Sequence, residues 1–172
     1  MAKRKSANPE SKPAHKGSAR NISTPPAARP KGDHHIELIV RGVWVHDGKV
    51  LLCRNVGKGY LYLPGGHIEF GESAANALKR EFLEECGVEV DVRGLILATE
   101  GAFEAGKRWH HEINLVFQCS ARNIKVKSRE PEIAFDWVDL AAVVDLDLRP
   151  LGVKAWLAAG PGQRVEWVSE LR

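Results

Sequence analysis

The stretch Gly66–Val88, GHIEFGESAANALKREFLEECGV, constrains this chain more than any other. Turns at Gly65-Gly66 and Gly71-Glu72 lead to Ser73, a residue type whose hydroxyl accepts from the free N–H groups at a helix start. The spacing predicts a helix from a Ser73 N-cap to about Cys86, stopped by Gly87. At about 100° per residue, Ala75, Leu78, Phe82 and Cys86 fall on one face, the expected buried side. Glu81, Glu84 and Glu85 share a neighbouring face. Carboxylates this close repel, and each resists ionising without compensation. A divalent cation is the common remedy, and hard oxygen donors suit Mg²⁺ or Mn²⁺. A solvated acidic face with Lys/Arg partners is the plainer account of such a triplet taken alone.

Around this helix the chain reads as short strands. Ile36–Val45 is extended, Asp47-Gly48 signals a hairpin, and Lys49–Arg54 returns. A loop at Gly57-Lys58-Gly59 precedes the short extended segment Leu61–Pro64. After the helix, Val88–Val92 and Leu95–Thr99 read as two strands, Gly101–His111 as a loop and Glu112–Gln118 as a strand. Ile124–Lys127 reads as an edge strand, and Glu130-Pro131-Glu132 leads into Phe135–Val138. Pro150 suits the first position of a second helix reaching about Ala159, halted by Gly160-Pro161-Gly162. Val165–Val168 is a last extended piece. Strands with two helices in this order predict an α/β domain with a mixed sheet.

The Gly66–Val88 stretch resembles the signature of the Nudix hydrolases. That pattern is Gly, five residues, Glu, seven residues, Arg-Glu, an apolar residue, any residue, Glu-Glu, any residue, Gly and an apolar residue. Gly66, Glu72, Arg80, Glu81, Phe82, Glu84, Glu85, Gly87 and Val88 match it without departure. A looser likeness extends over about residues 36 to 160. The resemblance implies an α/β/α sandwich and metal-dependent cleavage of a phosphoanhydride in a nucleoside diphosphate linked to another group. It implies Glu81 and Glu85 as metal ligands, Glu84 as a ligand or a base through water, and the Gly65 carbonyl as a further ligand. Arg80 and Glu72 match positions that orient the site through an ion pair. The base can also come from the loop before the later tryptophan strand, where Glu132 is the choice. Arg54 resembles a phosphate-contacting arginine of some relatives, with a plain surface charge as the other reading. Oxidised nucleoside triphosphates, ADP-ribose, dinucleoside polyphosphates and RNA 5′ ends all stay open as substrates. A binding or regulatory module that does not turn its ligand over is the alternative, although it would have no need of all three carboxylates.

Trp44, Trp137 and Trp156 sit in apolar periodic contexts and read as core; Trp109, in the expected loop, is the best aromatic for stacking a base, with packing as its other reading. His110-His111 lacks a spaced third ligand for zinc. Cys53, Cys86 and Cys119 are odd in number and far apart, which points to buried, reduced thiols in a cytoplasmic protein.

At 172 residues and 44% hydrophobic content the chain supports one domain with a real core. No apolar run is long enough to span a membrane. The net charge of +3 is uneven: residues 1–33 carry eight Lys/Arg against two acidic residues, so the tail is +6 and the remainder −3. Lys, Arg, Ser, Pro and Ala dominate residues 1–33, which composition predicts to be disordered, leaving 34–172 as the domain. Such a basic tail can contact nucleic acid weakly. The expected partner is a nucleotide-type small molecule. The oligomeric state, a homodimer included, stays open.

Overall fold

The computed structural model describes residues 35–160, except 106–107, together with 162 and 164–171. The tail expected over 1–33 lies outside the described residues. Seven strands run in chain order: β1 (Ile36–His46), β2 (Lys49–Asn55), β3 (Leu61–Tyr62), β4 (Asp91–Ala105), β5 (Arg108–Ser120), β6 (Ile133–Asp139) and β7 (Glu166–Ser169). Helix α1 (Ala74–Cys86) follows β3, and a 3₁₀ helix (Leu140–Asp145) and helix α2 (Leu151–Ala159) follow β6. The sheet order is β3-β2-β1-β5-β4-β7, with β6 also on β2. β1–β5 and β4–β7 are parallel; β1–β2, β2–β3, β2–β6 and β4–β5 are antiparallel. This is the mixed sheet of the expected α/β class.

Alternation along the strands builds a core on each face. Val40 and Trp44 of β1 and Leu51 of β2 pack with Ala77, Leu78, Phe82 and Cys86 of α1. Val43, Val50 and Leu52 point the other way and pack with Val153, Trp156 and Leu157 of α2. One helix therefore covers each face, giving an α/β/α sandwich. Trp44 and Trp156 are core as expected, and Trp137 sets its ring edge-on to Trp44 at 5.0 Å. Cys53, Cys86 and Cys119 are free and buried, and burial pushes the Cys86 thiol up to about 11 and Cys119 to about 12. No helix among the described residues is long and apolar enough to cross a membrane.

Several local expectations are corrected. Val92 and Leu95–Thr99 belong to one strand, β4, interrupted by register shifts between Val92 and Leu95 and between Leu95 and Leu97. The exposed Gly94 lies at the first shift, and its side-chain-free backbone makes the interruption look like a strand end in sequence. The expected loop 101–111 is largely strand: β4 and β5 stay paired to Ala105↔Arg108, because each supplies the other's hydrogen bonds despite glycine and charge. Ile124–Lys127 forms no strand; Val126 packs against the α1 core, and the Ile124 carbonyl accepts from Trp137 Nε1 at 3.4 Å. Pro150 precedes α2, its carbonyl accepting from Lys154 N at 3.2 Å.

One irregularity positions the site. β1 pairs with β2 only at Val45↔Val50 and His46↔Lys49, so its middle keeps an edge free. The segment before α1 takes that edge: Gly42 N donates to Pro64 O, Val40 N to Gly66 O, and Ile68 N to Leu38 O, at 2.9 to 3.0 Å.

Candidate active site

Helix α1 begins and ends where its residue types dictate. Ser73 Oγ accepts from Asn76 N at 3.2 Å. Gly87 takes the left-handed conformation at φ 68°, and its N–H donates to Leu83 O at 3.1 Å. The buried face includes Ala77 and also Glu85, which is 7% exposed. The three signature glutamates thus differ in surroundings: Glu85 is buried, the Glu81 side chain is 15% exposed and that of Glu84 is 56% exposed.

Arg80 organises two of them. Its Nη1 donates to Glu81 Oε1 at 2.8 Å and to Glu84 Oε2 at 3.1 Å. Nη2 donates to Glu72 Oε1 at 2.8 Å and to the His67 carbonyl at 3.0 Å. The same Glu72 oxygen accepts from Glu69 N at 2.8 Å. Arg80 and Glu69 hold Glu72 below the usual carboxylate range, and these carboxylates hold Arg80 firmly protonated. The loop–helix ion pair read from the signature is therefore present. Gly66 lets the loop close on the helix, since a Cβ there would lie 2.6 Å from the Glu81 carboxylate.

Glu85 has the unusual electrostatics. Burial pushes it up to about 7, Glu81 and Glu130 add to that, and Arg41 and a hydrogen bond with the Gly65 backbone oppose it. Its Oε2 is buried with no hydrogen-bond partner. The last turn of α1 holds no basic residue, so Glu84 and Glu85 also face the negative end of the helix dipole. An unpartnered buried carboxylate oxygen beside a second carboxylate is the donor set that a hard divalent cation satisfies, so Glu81, Glu85 and Glu84 fit Mg²⁺ or Mn²⁺. Among the described residues no three His, Cys, Asp or Glu side chains form a ready cage, since Glu81 and Glu84 are turned onto Arg80.

Arg41 went unnoticed in the sequence. From β1 its Nη1 donates to the carbonyls of Leu63 (3.2 Å) and Gly65, and its Nε to Asn114 Oδ1 at 3.4 Å. Its guanidinium lies over the Tyr62 ring, 5.3 Å from the centroid. Its one signal in the sequence is an arginine inside the apolar run Leu38–Val45. Glu37 was also missed: it accepts from His67 Nε2 at 3.1 Å and from His110 Nδ1 at 2.7 Å, tying the signature loop to β5. Burial opposes its ionisation, but the two histidines outweigh this and hold Glu37 below its ordinary value.

The remaining expected residues have other partners. Arg54 is paired with Asp136 across β2–β6 at 3.2 Å. Trp109 is in β5 rather than a loop; alternation sets it on the face opposite His110, Glu112 and the Arg41-bonded Asn114. In the 130–132 loop, Glu130 is the carboxylate that raises Glu85. Glu132 is exposed, and its carbonyl accepts from Val56 N at 2.8 Å. The loop is anchored where Arg129 N donates to Glu85 O at 2.7 Å and Arg129 Nη1 to Leu83 O at 3.0 Å.

Comparison with known proteins agrees with this geometry. The model of the NUDIX domain matches residues 37–157. This chain belongs to the Nudix family. It is 31% identical over 115 residues to the nucleoside triphosphatase NudI of Escherichia coli O139:H28, covering 60% of this chain and 82% of that one. Among solved structures it is similar to a MutT NUDIX hydrolase from Burkholderia pseudomallei, at TM-score 0.53 and 25% identity over 62% of this chain and 85% of that one. The MutT protein of Methanosarcina mazei Go1 shares the fold at TM-score 0.60 and 22% identity, over 72% and 91% of the two chains. The relatives it matches are named as a nucleoside triphosphatase and a hydrolase; this chain's own residues bear on the metal, the base and the substrate.

Proposed function

We propose that this Nudix protein cleaves a phosphoanhydride bond of a nucleoside diphosphate derivative with Mg²⁺ or Mn²⁺ held by Glu81, Glu85, Glu84 and the Gly65 carbonyl. The observation that carries the reading is Glu85, whose buried oxygen has no partner and whose ionisation is opposed by burial and by Glu81. A bound divalent ion supplies charge neutralisation on adjacent phosphates and a water of lowered pKa. Arg80 holds Glu81 and Glu84 through ion pairs, and Glu72 fixes Arg80. The proton of the attacking water goes to a carboxylate. Glu84, half exposed on the same helix, and Glu130, whose charge acts on Glu85 from the facing loop, are our candidates for it beside Glu132. Two adjacent phosphates suit such a cluster, whereas a monoester offers one.

The relative named a nucleoside triphosphatase makes nucleoside triphosphates the first substrates to test. A triphosphate should give the monophosphate and pyrophosphate, ADP-ribose should give AMP and ribose 5-phosphate, and AMP should survive. Chromatographic product analysis with Mg²⁺, and again in chelator, tests this. Phosphate released from AMP, or full turnover in chelator, refutes the mechanism. Tight binding without turnover of any substrate would make the protein a binding module instead.

A further inference from the structure

Beside the carboxylates, two tyrosines in contact with each other are flanked by an arginine at either end. Arg41 lies 5.3 Å from the Tyr62 centroid, the Tyr62 and Tyr60 rings are 6.0 Å apart, and the Arg149 guanidinium lies 4.7 Å over Tyr60. The backbone explains why they share a side. Leu61 of β3 and Leu148 form a parallel bridge, with Leu61 N donating to Asp147 O at 2.8 Å and Arg149 N to Leu61 O at 2.9 Å. Leu61 and Leu148 both pack into the α2 core, so their neighbours Tyr60, Tyr62, Asp147 and Arg149 are directed away from it. The inner end of the line meets the active site, because Arg41, which lies over the Tyr62 ring, donates to the Gly65 carbonyl. At the outer end Arg149 is held by both oxygens of Asp147, at 3.0 and 3.1 Å, yet its side chain stays 51% exposed. A guanidinium fixed on one side by a tyrosine ring and along its edge by a carboxylate is a flat platform with one face open, and such planes stack nucleobases.

We propose that Tyr62, Tyr60 and Arg149 form a stacking track that receives the base of the nucleotide, with Arg149 as its outer platform and Arg41 joining the track to the reacting phosphates. This rests on the hydrolase reading above and names its substrate determinant: a planar base carried on a diphosphate or triphosphate. Every nucleobase offers a π face, so the track selects for the presence of a base rather than its identity.

The test compares a nucleoside triphosphate with inorganic tripolyphosphate, which has the anhydride and no base, using the full chain with Mg²⁺. In Tyr60→Leu and Arg149→Met, the ratio of kcat/KM for the nucleotide to that for tripolyphosphate should fall at least tenfold, chiefly through the nucleotide KM. A ratio unchanged within twofold in both variants, with wild-type unfolding temperatures, overturns the track. If the wild type hydrolyses neither compound, the hydrolase reading fails and calorimetry decides the track alone. AMP should then bind at least tenfold more tightly than ribose 5-phosphate, and the difference should vanish in Tyr60→Leu. Equal affinities in the wild type overturn the proposal.

Discussion

Two walls meet at the Gly65-Gly66 turn, and they are built differently. The acidic wall comes from one helix, so Glu81, Glu84 and Glu85 are neighbours because the chain is helical there. The cationic and aromatic wall comes from β1, β3 and the segment before α2; Arg41 reaches Gly65 across 24 positions and Asn114 across 73. The first wall depends on local spacing and keeps its form wherever the helix forms. The second exists only once the sheet has closed. The acidic wall should therefore govern the rate of the chemical step, and the cationic wall should govern fit. Each of the following experiments divides the two.

The largest effect belongs to Glu85. Glu85→Gln keeps the shape and removes the charge, so kcat should drop on the order of 10³-fold, as expected when a metal's charge stabilisation is lost. The metal-free variant should remain folded, since the substitution relieves a buried carboxylate. Glu81→Gln should behave similarly. Near-wild-type kcat in both purified variants would remove the acidic wall from the chemistry.

The same residue has a stability signature. Burial raises Glu85 from the ordinary glutamate range to about 7 in the folded protein. Between these values the folded state binds the proton that the unfolded state has released, so stability falls as pH rises through that window. Across the whole window the loss is about 3 kcal/mol, the cost of ionising Glu85 without a metal. In chelator, Glu85→Gln should thus match the wild type near pH 4.5 and exceed it at pH 8. Mg²⁺ should narrow the gap by stabilising the wild type more. Thermal unfolding over a pH series reads this, and a gap that does not vary with pH would show that Glu85 ionises freely.

Glu130 and Glu132 form a closer comparison, two carboxylates of one loop. Both are exposed, but Glu130 is the one whose charge raises Glu85. Loss of a general base typically costs about 10²-fold, so Glu130→Gln should approach that loss while Glu132→Gln stays near wild type. The reverse order would restore Glu132, the residue favoured from sequence.

What the sequence could reveal follows the same division. Ser73, the 3.6-residue apolar spacing and Gly87 fix α1 within its own length, so its limits and its carboxylates could be read directly. That Glu85 is buried while Glu84 is half exposed depends on what α1 packs against, and helical spacing alone does not contain it. Gly101 and Gly106, with Glu104, Lys107 and Arg108 around them, have loop composition, yet β4 and β5 remain paired to Ala105↔Arg108 because pairing satisfies the backbone whatever the side chains. Trp109 consequently moves from a loop to a strand face. Arg41 could not be recognised because nothing local shows that its partners are the carbonyls of a distant turn.

Arg41 gives the smallest and most discriminating test. Its guanidinium bridges Leu63 O, Gly65 O and Asn114 Oδ1, so it sets where the Gly65 turn stands relative to β5. It opposes the rise in Glu85, but that contribution is smaller than those of burial and Glu81. Removing it should misplace groups rather than abolish chemistry, a loss of about tenfold in kcat/KM. Arg41→Met should show that loss. Arg41→Lys restores the charge, but a single ammonium cannot reproduce the planar fork that spans three acceptors, and it should recover only part of the activity. The two variants separate charge from geometry. Full recovery by Lys would mean that Arg41 acts as a cation beside Glu85 and belongs with the acidic wall. Partial recovery, with a raised KM for a nucleoside triphosphate, would place it in the wall that receives the substrate.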